Sequence, residues 1–303
     1  MRLFKTTNIP FLDSRGLWYV VSSVVIAAGL IAILVRGVSL GIDFLGGTEI
    51  VVGFQQAPDI GQIRSTLSGA GLEGAEIKTF GEPTDIIIRT TEQAEGTAVG
   101  DRIREALTGT FGAGSFEILR QYKISPKIGK ELREDAIYAI AWGLVAIMVY
   151  IAIRFKFAYG VGAVLSLFHD VLVTLGIIVI LNGVIPGLNL EITLEVIAAF
   201  LTLVGVSVND TVVVFDRIRE NQRLYRSMDL RSVMNKSLNE MLGRTIITNG
   251  TILAVLFVLL FFGGEVTRAF AFTLVVGQLT GTYSSIYVAS AIVLDWPRRR
   301  ATA

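Results

Sequence analysis

The chain has 303 residues, 52% of them hydrophobic and 17% charged, with a formal net charge of +1. That apolar excess and charge deficit exclude an ordinary soluble domain and point to a lipid solvent, and the near-neutral total gives no hint of nucleic acid. With no cysteine and a single histidine, disulfides and thiolate chemistry are excluded and little material remains for a metal site, so neither a metal nor a cofactor is expected.

In chain order, the first apolar stretch long enough to cross about 30 Å of hydrocarbon runs from Leu17 to Val35. It has basic flanks like a signal peptide, but its apolar core is longer than an h-region and no small-x-small cleavage site follows, so it reads as an uncleaved anchor. A polar insertion comes next. Within it, Glu49 to Phe54, Ala75 to Phe80, Asp85 to Thr90 and Ser115 to Ile124 read as strands, while Ile60 to Ala70 and Val99 to Gly109 carry apolar residues at helical spacing. The order β-α-β-β-α-β is the ferredoxin-like plan, which identifies a small rigid module and no activity.

Five more apolar stretches follow: Ala136 to Ile153, Tyr159 to Leu181, Ile192 to Phe215, Arg244 to Phe262 and Phe270 to Leu294. The expected fold is therefore an α-helical polytopic membrane protein of six transmembrane helices with an inserted ferredoxin-like α+β extracytoplasmic domain. Its divisions are residues 1–36 (cytoplasmic N-terminus and first span), 37–134 (outer domain) and 135–303 (remaining spans and cytoplasmic tail). Orientation follows the basic residues of the short loops. Arg2, Lys5 and Arg15 precede the first span, Arg154 and Lys156 follow the second, six Lys or Arg lie between Arg217 and Lys236, and Arg298 to Arg300 end the chain. These segments belong on one side, which puts both termini in the cytoplasm. The loop around Pro186 has no basic residue and the one around Glu265 has one, so both face outward.

Chemistry has to come from polar groups inside the spans, because a charge at membrane depth costs several kcal/mol unless paired or hydrated. Asp210 lies about 10 Å before Arg217, where the cytoplasmic loop is under way. Its helical face continues through Leu203, Ser207 and Val214 and so addresses neighbouring helices. Arg244 opens the fifth span with Thr248 and Thr251 along the same face. His169 and Asp170 sit mid-span, about 100° apart around the helix, which argues against a shared partner. Competing structural readings are a snorkelling Arg244, a purely structural Asp210–Arg244 pair and a His169 that only bonds helices together. Glu191 and Glu195 read as interfacial. Gln278, Gly281 and Ser285 form a polar helical face in the last span that needs a partner surface. The glycine-rich segment containing Gly41, Asp43, Gly46 and Gly47, and the segment holding Pro126 and Gly129, are the natural transmission points between membrane and outer domain.

VGVSVNDTVVVFDRIREN (Val204 to Asn221) resembles the fourth-span signature of the SecF family, whose members work with SecD in the bacterial Sec export apparatus and are related to resistance-nodulation-division transporters. GIDFLGGT (Gly41 to Thr48), SPKIGKELRE (Ser125 to Glu134), the His169–Asp170 pair, GRTIITNGT (Gly243 to Thr251) and GTYSSIYVASAIVL (Gly281 to Leu294) agree in order and spacing. Val206 stands where the family often has an aromatic residue. The resemblance implies a subunit of the bacterial cytoplasmic (inner) membrane that acts with SecD beside the SecYEG channel. There it would use protons to help unfolded secreted proteins complete a passage begun by the ATP-driven motor SecA. It also implies a proton pathway through Asp210 and Arg244, completed by an Asp of SecD, with His169 and Asp170 as further candidates. Ser207, Thr248, Gln278 and Ser285 are expected to be polar groups at helix interfaces. No nucleophile or phosphate loop is present, so the chain is not expected to be an enzyme. A self-contained proton-driven exporter of small molecules or lipids is the alternative, although it usually needs two repeated halves where this chain has one; a passive scaffold is another.

Overall fold

The computed structural model describes residues 7–92, 96–185 and 188–296. Arg2, Lys5, Pro186 and Arg298 to Arg300, used above for orientation, lie outside the described residues. The chain folds as two compact units, one helical and one containing the sheet.

The sheet-containing unit comprises Ser39–Ala139 together with Asn182–Leu194. A short helix, α2 (Ile42–Leu45), leads into β1 (Gly47–Phe54), α3 (Ile60–Gly69), β2 (Glu76–Phe80), β3 (Glu82–Thr90), α4 (Ala98–Phe111) and β4 (Phe116–Ile124). The strands are ordered β2-β3-β1-β4 with every neighbouring pair antiparallel, so β3 is inserted between two strands that a helix connects. Alternation along β1 and β3 sends Ile50, Val52, Ile86 and Ile88 to one face, where Ile63 and Leu67 of α3 and Ile103 and Leu107 of α4 complete a core sealed from water. Asp59 caps α3 by accepting from the Gly61 amide at 2.8 Å. Asn182–Leu194, which holds the expected loop around Pro186 and the first residues of the expected span from Ile192, belongs to this unit: Leu40 and Ile192 form a parallel bridge, and the Gly41 amide donates to the Ile192 carbonyl at 2.8 Å.

The helical unit is built from residues up to Val38, Ile140–Leu181 and Glu195 onward. Its helices are α1 (Arg15–Arg36, after a 3-10 turn at Phe11–Ser14), the later part of α5 (Pro126–Arg154), α6 (Phe157–Leu181), α7 (Leu194–Leu224), α8 (Leu230–Phe262) and α9 (Glu265–Ser284). A π-helical turn (Ser285–Ala289) and a short α10 (Ser290–Asp295) follow. Among the described residues, five helices are long and apolar enough to cross a membrane: Phe11–Arg36, α5, α6, α7 and α8. The stretch expected as one span over Phe270 to Leu294 is helical throughout, with a π turn at Ser285–Ala289 where the ladder widens and the Ser290 hydroxyl bonds the Ser285 carbonyl at 2.9 Å.

Two helices start well ahead of their apolar stretches, and capping explains both. Ser125 accepts from the Ile128 amide at 3.3 Å with Pro126 as the first helical residue of α5, and Asp229 accepts from Ser232 at 3.1 Å to begin α8. α1 lies against α6 at a point where both residues are glycine: a Cβ on Gly29 would stand 2.7 Å from the Gly176 Cα. Small residues at such crossings let helices approach closely where lipid supplies no hydrophobic drive. Trp18 of α1 stacks on Tyr283 and Tyr287.

Candidate functional site

Two polar clusters lie among the membrane helices. The first centres on Asp170 of α6, which is fully buried. Its Oδ2 accepts from Ser207 of α7 at 2.5 Å and from Ser284 of α9 at 2.8 Å, while Oδ1 lies 2.8 Å from His169 Nδ1. With Nδ1 carrying the hydrogen toward the carboxylate, His169 Nε2 is left to accept; it lies 2.8 Å from both the Ser22 hydroxyl of α1 and the Tyr283 hydroxyl of α9. His169 and Asp170, expected from their 100° separation to have no shared partner, thus bond each other. Outward, His169 reaches α1 and Asp170 reaches α7, both also meet α9 through the adjacent Tyr283 and Ser284, and Nδ1 sits close enough to the backbone to meet the neighbouring carboxylate. Gly281 makes room for this: a Cβ there would stand 3.3 Å from Ser207 Cβ and 3.5 Å from Asp170 Oδ2. The result ties α1, α6, α7 and α9 together, and satisfied donors offset the cost of burying a carboxylate.

The second cluster centres on Asp210 of α7, which is half-buried. Leu203, Ser207 and Val214 on the same face are buried, as its periodicity suggested. Asp210 Oδ2 accepts from the Asn249 amide of α8 at 2.7 Å, and the same nitrogen donates to Thr282 Oγ1 of α9 at 2.8 Å. Among the described residues no ion pair joins Asp210 to Arg244 within 4.0 Å. Arg244 and Thr248 lie on the exposed face of α8 in this single chain. Asn249 follows Thr248 and so points about 100° further around the helix, which is why a reading that followed the Arg244–Thr248–Thr251 stripe passed it by. Gln278 and Ser285 are buried; the Gln278 carbonyl accepts from Thr282 at 2.6 Å and Ser285 donates to the Thr282 carbonyl at 3.1 Å. Ser22, Asn249, Thr282, Tyr283 and Ser284 were not singled out in the sequence, where a lone Ser or Tyr in an apolar run carries no signal.

The sheet-containing unit brings the expected transmission segments together. Gly46 has φ +72° and its Cβ would stand 2.9 Å from the Pro126 Cα, while a Cβ on Gly129 would lie 3.1 Å from the Gly46 nitrogen. Gly47, at φ +130°, occupies backbone space that L side chains rarely enter. Asp43 is buried, and its Oδ2 accepts from the Leu194 amide at 3.1 Å, satisfying a free N–H at the start of α7. Glu191, expected to be interfacial, is buried and receives Lys78 at 2.8 Å and the guanidinium of Arg89. Arg89 also bonds Glu49 at 2.7 Å, and Glu49 takes Arg120 at 2.7 Å. Burial works against the Glu191 charge, but the Arg89 charge and the Lys78 hydrogen bond outweigh it and hold the carboxyl below its ordinary value. Glu195, in the first turn of α7, is exposed.

The family described as protein export membrane protein SecD/SecF, C-terminal, matches residues 102–299, and the SecD/SecF GG motif matches residues 31–58. The protein translocase subunit SecF of Rhodothermus marinus is 44% identical over 99% of this chain and 97% of its own length. That of Desulfurispirillum indicum is 44% identical over 96% and 92%. The crystal structure of SecDF, a translocon-associated membrane protein from Thermus thermophilus, superposes with a TM-score of 0.84 at 33% identity over 96% of this chain. This chain spans 39% of that larger one. With helices long and apolar enough to cross a membrane and near full-length likeness to SecF subunits, the chain belongs to the SecD/SecF family of protein export membrane proteins, on its SecF side.

Proposed function

We propose that the chain works with SecD in the bacterial cytoplasmic membrane to turn proton movement into completed passage of unfolded secreted proteins through SecYEG, after SecA has started them. The observation that carries this reading is Asp210: a carboxylate in a membrane helix, held by a neutral amide rather than neutralised by a cation. Such a group is able to exchange a proton without first breaking an ion pair. Arg244, exposed on the next helix, supports a partner surface, since an uncovered guanidinium at membrane depth is costly. An acidic group supplied by SecD would complete the site. One elementary charge crossing 100 mV is worth about 2.3 kcal/mol, enough to shift a balanced two-state contact.

The same reading makes α9, the π turn and α10 together the sixth span, and makes the β2-β3-β1-β4 sheet with its two helices a ferredoxin-like outer module. Both termini are cytoplasmic in it. The glycine-rich segment Gly41 to Gly47 and the segment around Pro126 and Gly129 transmit helix movement to the module along the continuous chain. The test compares Asp210→Asn, Arg244→Met and the double variant in the native complex for protein level, SecD association and gradient-dependent export. A switch predicts normal assembly, loss of the gradient-dependent part in both singles and no further loss in the double. Normal gradient-dependent export by Asp210→Asn ends the proton reading, and singles of low abundance rescued in the double would point to a structural pair.

A further inference from the structure

Asn249 is buried on α8, and its environment dictates which way its amide faces. The Thr282 hydroxyl donates its hydrogen to the Gln278 carbonyl at 2.6 Å, so the Thr282 oxygen can only accept from Asn249. The group 2.8 Å from that oxygen must therefore be the amide nitrogen, and its second hydrogen points at Asp210 Oδ2, 2.7 Å away. A backbone carbonyl thus sets the polarity of the whole chain, and Asp210 has to accept. At the far end of the amide, Asn249 Oδ1 is buried with no partner among the described residues. Apart from Asp210 itself, Thr282 alone among the described residues holds the amide.

We infer that Asn249 is the positioning residue for proton exchange at Asp210: its amide, locked by Thr282, fixes Oδ2 as an acceptor and leaves Oδ1 of Asp210 to take up and release the proton. This rests on Asp210 being the proton-exchanging group proposed above. A fixed donor to a carboxylate favours its ionised form. Other titratable or charged groups nearby are Arg244 on α8 and, from α6, the His169–Asp170 pair, which bonds Ser207 one turn before Asp210. α9 contributes Thr282 and, beside His169, Tyr283. None of these replaces the Asn249 donor, because among the described residues no other hydrogen bond reaches Asp210 Oδ2.

The experiment measures gradient-dependent export as a function of pH in inner-membrane vesicles holding the chain with its native SecD, for the unmodified protein, Asp210→Asn, Asn249→Leu and Thr282→Val. Asn249→Leu keeps similar volume and removes the donor; the pH of half-maximal stimulation should rise by about one unit, a tenfold tighter proton. Thr282→Val keeps Asn249 but frees the amide, and should move the profile the same way by less. A purely structural role would lower abundance without moving the profile. If Asp210→Asn is inactive while both other variants keep the unmodified profile, Asn249 does not position the carboxylate and the proton reading stands alone. Should Asn249→Leu fail to accumulate, Thr282→Val decides: an unshifted profile overturns the inference. Full activity in Asp210→Asn removes the reading on which it rests.

Discussion

Glu191→Gln removes the charge at the centre of the ion-pair cluster of the sheet-containing unit while keeping the side chain's volume. Glu191 is 4% exposed and binds both Lys78 and Arg89. Removing one partner of a buried pair costs about 3–5 kcal/mol. Two features reduce that here: Arg89 keeps Glu49 at 2.7 Å, and Lys78, 41% exposed, can return to water beside Glu76. About 2–3 kcal/mol remains against local opening, so amide hydrogen exchange in β1 and β3 at pH 7 should accelerate by about 30- to 150-fold. The pH dependence has a definite sign. Because the native carboxyl titrates below its ordinary value of 4.5, its contribution is complete above that pH and is lost as pH falls through the native value. The gap between native and variant should thus be constant from pH 7 down to about 5.5 and close below about 4.5. Unchanged exchange at pH 7, or a gap that widens on acidification, would refute the reasoning.

Gly29→Ala should destabilise the helical unit by about 1–3 kcal/mol, because the added Cβ meets the Gly176 backbone at 2.7 Å. Gly205→Ala, where nothing lies within 4 Å of the added carbon, is the control, and equal thermal stability of the two in detergent would contradict the close helix crossing. Asp170→Ala strands the Ser207 hydroxyl and His169 Nδ1, leaves Ser284 with the Gly281 carbonyl at 3.2 Å, and should cost about 3 kcal/mol or more. Its protein level should fall well below that of Asp210→Ala, whose carboxylate is only half-buried, and equal levels would show that the Asp170 cluster holds nothing together.

Apolar length is a property of the chain itself, so the membrane class, the first five stretches long enough to cross and the alternating strands of the insertion could be read directly from the residues. The four strands and two helices of the sheet-containing unit lie within a few positions of their expected bounds, because period-two and helical apolar patterns are local. Asp210, Asp170 and His169 stood out because a titratable group in an apolar run is rare whatever its neighbours are. What those groups touch was a different matter. That Asn249, rather than Arg244, holds Asp210 depends on how α7, α8 and α9 are rotated against each other, and a 100° error moves a contact to the next residue. The placing of Glu191 beside Arg89 brings together residues a hundred positions apart, and the gathering of Ser22 with His169 spans almost half the chain. The π turn within the last helix likewise sits at a close helix contact, where a Cβ on Gly162 would stand 2.9 Å from the Ala289 carbonyl. Local periodicity decides which residues are buried, while the partners of a buried polar group are decided by helix rotation and crossing, which only the packed molecule possesses.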